Sequence, residues 1–152
     1  CPTVLDFRGA GLLSVLDLEP YVVKPNREEL AQSLGRPLDD DQALVAAMRT
    51  LNGRGAQWVV ITQGPAAVWA TSAREIYRFR PLAVPDAVNP IASGDAVAAT
   101  IAWATRSGRP LPDAVRLGIA AAAQNVRQLL PCRLDPQTLE AAAASVSVER
   151  LE

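Results

Sequence analysis

The sequence predicts a three-layer α/β domain, in which a mostly parallel sheet with an antiparallel hairpin edge carries helices on both faces. Three observations lead there. Short Val- and Ile-rich runs alternate with stretches whose apolar residues recur at helical spacing, and Gly, Pro and Asn punctuate the junctions. Two neighbouring runs near the middle are joined by too few residues for a crossover, whereas parallel strands require one and cover both faces of the sheet in making it.

Residues 3–7 read as the first strand. Arg8-Gly9-Ala10-Gly11 makes a turn, and Leu12, Leu13, Val15 and Leu16 follow at mixed helical spacing in a helix that Pro20 ends. Tyr21-Val22-Val23 is a second buried strand. Its exit is forced at Lys24-Pro25, since the residue before a proline avoids the helical region, and Asn26 caps a short helix. Ala43, Leu44, Ala46, Ala47, Met48 and Leu51 form the apolar face of the next helix, stopped by Asn52-Gly53 and Gly55. Residues 58–61 are a strand, 67–71 and 76–79 alternate as hairpin strands, and 81–90 connect in extended form. Two helices at 94–107 and 113–130 are so rich in alanine that their backbones can approach closely. A last helix starts after Asp135-Pro136.

Composition narrows the function. With 152 residues, 49% hydrophobic and 20% charged, the chain has the makings of one globular domain with a substantial core. A net charge of −1 without a basic run argues against nucleic acid or an anionic membrane as partner and leaves small molecules. No run approaches the roughly 20 apolar residues of a membrane-spanning helix, and no signal segment opens the chain, so the expected setting is cytoplasmic. Cys1 and Cys132 lack the spacing of a zinc site or disulfide framework, and the absence of histidine excludes imidazole chemistry. Residue 1 is Cys rather than Met and a strand follows almost at once, which predicts a piece of a larger domain.

Asn89-Pro90-Ile91-Ala92-Ser93-Gly94-Asp95 sets a carboxylate among the free N–H groups of a helix start. A phosphate can dock on such groups, and Asp95 would then deprotonate an attacking hydroxyl. An ordinary helix start, with Ser93 as cap and Asp95 complementing the dipole, accounts for the same residues. Asn26 and Glu29 read either as a capping box or as an amide and carboxylate holding a hydrated Mg²⁺ beside nucleotide phosphates. Thr62-Gln63-Gly64, just past a buried strand, either admits a ligand to the backbone or merely turns. Asn125, beside Ala120-Ala121-Ala122-Ala123, marks room for a flat ring or a solvated stripe on a closely packed helix. Gly9-Ala10-Gly11-Leu12-Leu13-Ser14 is a weak dinucleotide fingerprint: its third position is Ser14, and Glu28, 19 residues beyond Gly9, follows a proline-marked strand exit. We read it as a decoy, with an NAD-dependent oxidoreductase as a minor alternative. No GxxxxGK[ST] segment is present, so a P-loop enzyme is excluded.

Together, Tyr21-Val22-Val23-Lys24-Pro25-Asn26-Arg27-Glu28-Glu29-Leu30, Val60-Ile61-Thr62-Gln63-Gly64, residues 88–95 and residues 119–125 resemble the ribokinase-like carbohydrate kinases of the phosphofructokinase-B type. Order and spacing both agree, over essentially the whole chain. The resemblance implies a Rossmann-like (ribokinase-like) fold, with residues 1–152 as the C-terminal, nucleotide-binding part of a longer protein. It implies ATP and Mg²⁺ as cofactors, a sugar or sugar phosphate as acceptor, and leaves room for a homodimer of the longer protein. Asp95 matches the family's catalytic base, and Ala92, Ser93 and Gly94 its anion hole. Asn26 and Glu29 match the Asn-x-x-Glu motif that governs Mg²⁺ and phosphate, with Glu29 on the metal side. Thr62 and Gly64 match the nucleotide-contacting segment, and Asn125 the helix region that flanks adenine. The Lys24-Pro25-Asn26-Arg27-Glu28-Glu29 run with Asn89-Pro90 is most similar to the branch acting on phosphorylated ketohexoses, such as fructose-1-phosphate or tagatose-6-phosphate kinases.

Two departures from the family pattern stand out. The family's Gly-Ala-Gly-Asp or Gly-Ser-Gly-Asp begins here with Ala92, whose Cβ strains a conformation that glycine tolerates, and the second glycine expected after Gly64 is Ala67. The family's N-terminal half, which carries most sugar contacts and the lid, has no counterpart in these residues. These features set out the alternative, a non-catalytic nucleotide-binding module or degenerate kinase fragment, and predict little turnover by the chain alone.

Overall fold

The computed structural model describes residues 2–151, so Cys1, expected to be unpaired, lies outside the described residues. In chain order the elements are β1 (Val4–Leu5), α1 (Gly9–Ser14), a 3-10 turn (Leu16–Leu18), β2 (Val22–Val23), α2 (Arg27–Leu34), α3 (Asp41–Gly53), β3 (Trp58–Ile61), β4 (Val68–Thr71), β5 (Ile76–Arg80), α4 (Ser93–Arg106), α5 (Leu111–Asn125), α6 (Pro136–Ala144) and β6 (Ser147–Arg150). Two compact units divide them: residues 2–78 with 149–151, and Phe79–Val148.

The α/β class is as expected, but the sheet is mixed rather than mostly parallel. Its strands lie in the order β1-β2-β3-β4-β5-β6. β1 runs parallel to β2, and β2 to β3, with Val22 opposite Val4 on one side and Trp58 on the other. β4 is antiparallel to β3, Ala70 facing Val60, because the link across residues 62–67 is too short for a crossover. β4 then turns tightly into β5, the Ser72 N–H donating to the Glu75 carbonyl at 3.0 Å. β6 was not foreseen. All its residues are exposed, so it lacks the apolar alternation that betrays a half-buried strand.

The core of the first unit gathers Leu12 and Leu16, Leu30 of α2, Leu44, Met48 and Leu51 of α3, and Val23, Val59, Ile61 and Trp69 of the sheet. Truncating a buried leucine of this set to alanine costs about 2–5 kcal/mol. Local chemistry fixes the ends of α3: the Asp40 carboxylate caps its start by accepting the Ala43 N–H at 2.7 Å, and Gly55 follows its end at φ +122°. A Cβ on Gly55 would stand 2.2 Å from the Leu16 carbonyl oxygen, so only glycine fits. α1 begins at Gly9, not after Gly11 as the turn reading had it. The Gly9 N–H donates to Ser33 Oγ at 2.7 Å and Gly11 lies inside the helix, so the first amide of the dinucleotide fingerprint is already engaged within the protein.

In the second unit α4 packs on α5, and α5 on α6. The predicted close approach is real at Gly118, where a Cβ would meet Val97 Cγ1 at 3.1 Å and the Val97 carbonyl at 3.2 Å. α5 ends at Asn125 instead of continuing to residue 130. The Val126 carbonyl accepts from the Val88 N–H at 2.6 Å and the Asn89 N–H at 3.0 Å, and Pro131 disfavours helix at the residue before it. Among the described residues no helix is long and apolar enough to cross a membrane.

Candidate active site

In the first unit the sequence candidates converge at the C-terminal ends of β2 and β3, the edge where open α/β sheets take ligands. Asn26 leaves β2 in extended conformation and starts α2. Its Oδ1 accepts the Glu29 N–H at 2.8 Å, and Glu29 Oε2 accepts the Asn26 N–H at 2.9 Å, a complete capping box. Glu29 Oε1 is left over, 3.9 Å from the exposed Arg8 guanidinium. Thr62 forms a parallel bridge to Asn26, and the Arg27 N–H donates to the Thr62 carbonyl at 3.4 Å. Gly64 is exposed at φ +58°, with nothing within 4 Å of where a Cβ would project, so its open side can receive a ligand.

Three side chains that sequence reasoning passed over tie this corner together. Arg27 Nε donates to the Leu38 carbonyl at 2.7 Å, and its Nη1 to Gln63 Oε1 at 2.8 Å. Gln63 Nε2 in turn donates to the Ala67 carbonyl at 2.7 Å, strapping the loop that holds Thr62 and Gly64. Lys24 is only 3% exposed and sets its Nζ 3.0 Å from Asp6 Oδ2. Its buried place between two Val and a Pro was the signal available, since a lysine within an apolar run is rarely buried without a partner.

In the second unit the candidates gather at the start of α4. Ala92, not Ser93, is the residue that precedes the helix, and it does so at φ 61° and ψ 13° with no side-chain cap. The expected serine cap is thus corrected. Ser93 Oγ instead donates to the Pro90 carbonyl at 2.8 Å. A left-handed alanine costs about 1–2 kcal/mol, so the strain foreseen at this position is present and is held by its surroundings. The Ser93 N–H donates to the Pro90 carbonyl and the Ala96 N–H to the Ala92 carbonyl. The Gly94 and Asp95 N–H groups have no acceptor among the described residues. The Asp95 carboxylate is exposed and makes no ion pair among them. A free acid thus sits beside two open amide donors at the positive end of a 14-residue helix.

Asn125 departs from the solvated-stripe reading. It is fully buried, so it lies on no such stripe, and its amide bonds to protein groups. Nδ2 donates to the Ile91 carbonyl at 2.8 Å and to Ser93 Oγ at 3.1 Å, while Oδ1 accepts the Cys132 N–H at 2.7 Å. The segments 86–91 and 126–132 are joined further by Asn89 Nδ2, which donates to the Leu129 carbonyl at 3.0 Å, and by an Arg127–Asp86 ion pair at 3.1 Å.

Known proteins resemble this chain in sequence and in fold. The family model described as pfkB family carbohydrate kinase matches residues 2–137. A 1-phosphofructokinase of Haloferax volcanii is 32% identical over 118 residues, covering 78% of this chain and 38% of that protein. Among solved structures, phosphofructokinase-2 from Escherichia coli in complex with substrates and products superposes with a TM-score of 0.82 at 23% identity, over 94% of this chain and 47% of that one. Arabidopsis thaliana ribokinase complexed with ribose and ATP gives 0.83 at 20% identity, over 93% and 47%. At these identities the structural likeness speaks for the fold alone, and the chain spans half or less of the length of each of these relatives.

Proposed function

This chain belongs to the pfkB family of carbohydrate kinases, and on that premise we propose that it is the C-terminal, nucleotide-binding and base-carrying part of an enzyme that phosphorylates a sugar with ATP. The observation that carries the reading is the start of α4, where the exposed Asp95 carboxylate stands beside the unengaged Gly94 and Asp95 N–H groups. The Asp95 carboxylate accepts the proton of a sugar hydroxyl. That oxygen bonds to the γ-phosphorus of ATP as the bond to the β–γ bridging oxygen breaks, and ADP leaves. The amides at the helix start, together with Ala92, Ser93 and Gly94 that shape the approach, offset charge on the transferring oxygens. Positioning and electrostatics carry most of such a reaction, and a rigid loop supplies both.

Thr62 and Gly64 take the nucleotide against the open backbone beyond β3, and Asn26 fixes the corner beside it. Mg²⁺, when bound, neutralises phosphate charge. The residues fit a hydrated ion: among the described residues no cage of three or more His, Cys, Asp or Glu exists, but Glu29 Oε1 lies outside the capping box, and Mg²⁺ keeps several waters and takes few protein ligands. For the acceptor we favour a phosphorylated ketohexose, supported by the likeness to a 1-phosphofructokinase and by the Lys24 to Glu29 run with Asn89-Pro90.

The test is an assay of the full gene product carrying this chain, with Mg²⁺, ATP and a panel of fructose and tagatose phosphates. Asp95→Asn lowers kcat by about 10²–10⁴-fold and leaves ATP affinity, measured by calorimetry, unchanged. Activity of the variant within a few-fold of wild type removes Asp95 as base. ATP binding without phosphorylation of any sugar favours the non-catalytic module.

A further inference from the structure

We infer that Asn125 is a positioning residue for phosphoryl transfer: its buried carboxamide holds Ala92 in the left-handed conformation that opens the Gly94 and Asp95 amides. The inference rests on the kinase reading and deepens it. Among the described residues three that are not glycine have positive φ, namely Glu19, Ala92 and Cys132; Asn125 bonds directly to Cys132 and to the two neighbours of Ala92. Its Nδ2 grips the residues on either side of Ala92, the carbonyl of Ile91 and the hydroxyl of Ser93. Its Oδ1 grips Cys132 at the other left-handed turn. Every donor and acceptor direction of the amide but one lone pair is thereby used, inside a site with no solvent to replace it. Alanine disfavours the left-handed region, so without the clamp the loop relaxes and the following N–H groups swing away from where a phosphoryl group would lie. Glycine at position 92 has no such preference to overcome.

The experiment compares Asn125→Ala, Ala92→Gly and the double variant in the full gene product. Asn125→Ala lowers kcat by about 10²-fold with little change in KM for ATP, the size of loss that a misplacement near 1 Å produces. Ala92→Gly in that background restores most of the loss, because glycine adopts the conformation unaided. A residue that merely filled the core would show no such specific rescue. Hydrogen exchange supplies a readout independent of activity: the Ser93 and Ala96 amides exchange at least about tenfold faster in Asn125→Ala and slow again in the double variant. Should Asn125→Ala not fold, Asn125→Asp keeps the size and the acceptor for Cys132 while lacking the Nδ2 donors, and is read the same way. The inference is overturned if exchange is unchanged in the variant, or if Ala92→Gly restores neither exchange nor kcat. A wild-type protein that phosphorylates nothing, yet shows the exchange pattern, instead overturns the kinase reading and leaves the clamp standing.

Discussion

Asn26 and Glu29 each accept a hydrogen bond from the other's backbone N–H, at 2.8 and 2.9 Å. The pair therefore caps α2 and, in the proposed function, also serves Mg²⁺ and phosphate. Glutamine and alanine separate the two duties. Glu29→Gln retains an acceptor for the Asn26 N–H and keeps stability within about 0.5 kcal/mol of wild type, whereas Glu29→Ala loses about 1 kcal/mol. Both remove the carboxylate and weaken Mg²⁺-dependent ATP binding. Denaturant titration and calorimetry check the two halves, and unchanged Mg²⁺ dependence in Glu29→Gln would leave this residue as a cap alone.

Gly55→Ala is expected to be severe. At φ +122° an alanine is strained wherever it sits, and its Cβ would overlap the Leu16 carbonyl. The loss is about 3 kcal/mol, seen as a lower denaturation midpoint. A neutral result would mean that the 3-10 turn at Leu16–Leu18 yields freely.

The α4–α5 contact is similarly specific. Gly118→Leu pushes a side chain into Val97 and its carbonyl, and the helices must separate or shift. Overpacking of this kind costs about 1–3 kcal/mol, more than the roughly 1 kcal/mol that leucine gains over glycine in helix propensity. Thermal melting that rises instead of falling contradicts the close approach.

Arg127 sets the charge state at the other end of its loop. The hydrogen bond from its guanidinium, aided by the backbone amide of Asp86 itself, holds the Asp86 carboxyl below its ordinary value of 3.8. A depressed folded-state pKa contributes stability that is present above the unfolded value and is lost as pH falls through the folded one, so the tether between segments 86–91 and 126–132 weakens only in acid. Arg127→Ala raises the Asp86 midpoint, followed by carboxyl carbon NMR, toward the ordinary value. A midpoint that stays low assigns the shift to the backbone amide.

Local chemistry written in the chain was sufficient for much of this protein. The Lys24-Pro25-Asn26 exit from β2, the start of α6 at Pro136 behind its Asp135 cap and the stop of α3 at Gly53 all appear where propensity, proline and capping place them to within a residue, because each depends on neighbours a few residues away. Tertiary structure decided the rest. α5 stops at Asn125 because the Val126 carbonyl is claimed by Val88 and Asn89, nearly 40 positions earlier in the chain. β6 exists because β5 offers it an edge, not because Ser147-Val148-Glu149-Arg150 looks like a strand. Ala92 is left-handed, and Ser93 is no cap, because a buried amide on another helix holds both sides of that turn. A hydrogen bond between distant residues leaves no periodicity and no spacing in the sequence, and so the phosphate-loop candidates and Asn125 itself were legible there while the bonds that join Asn125 to that loop were not.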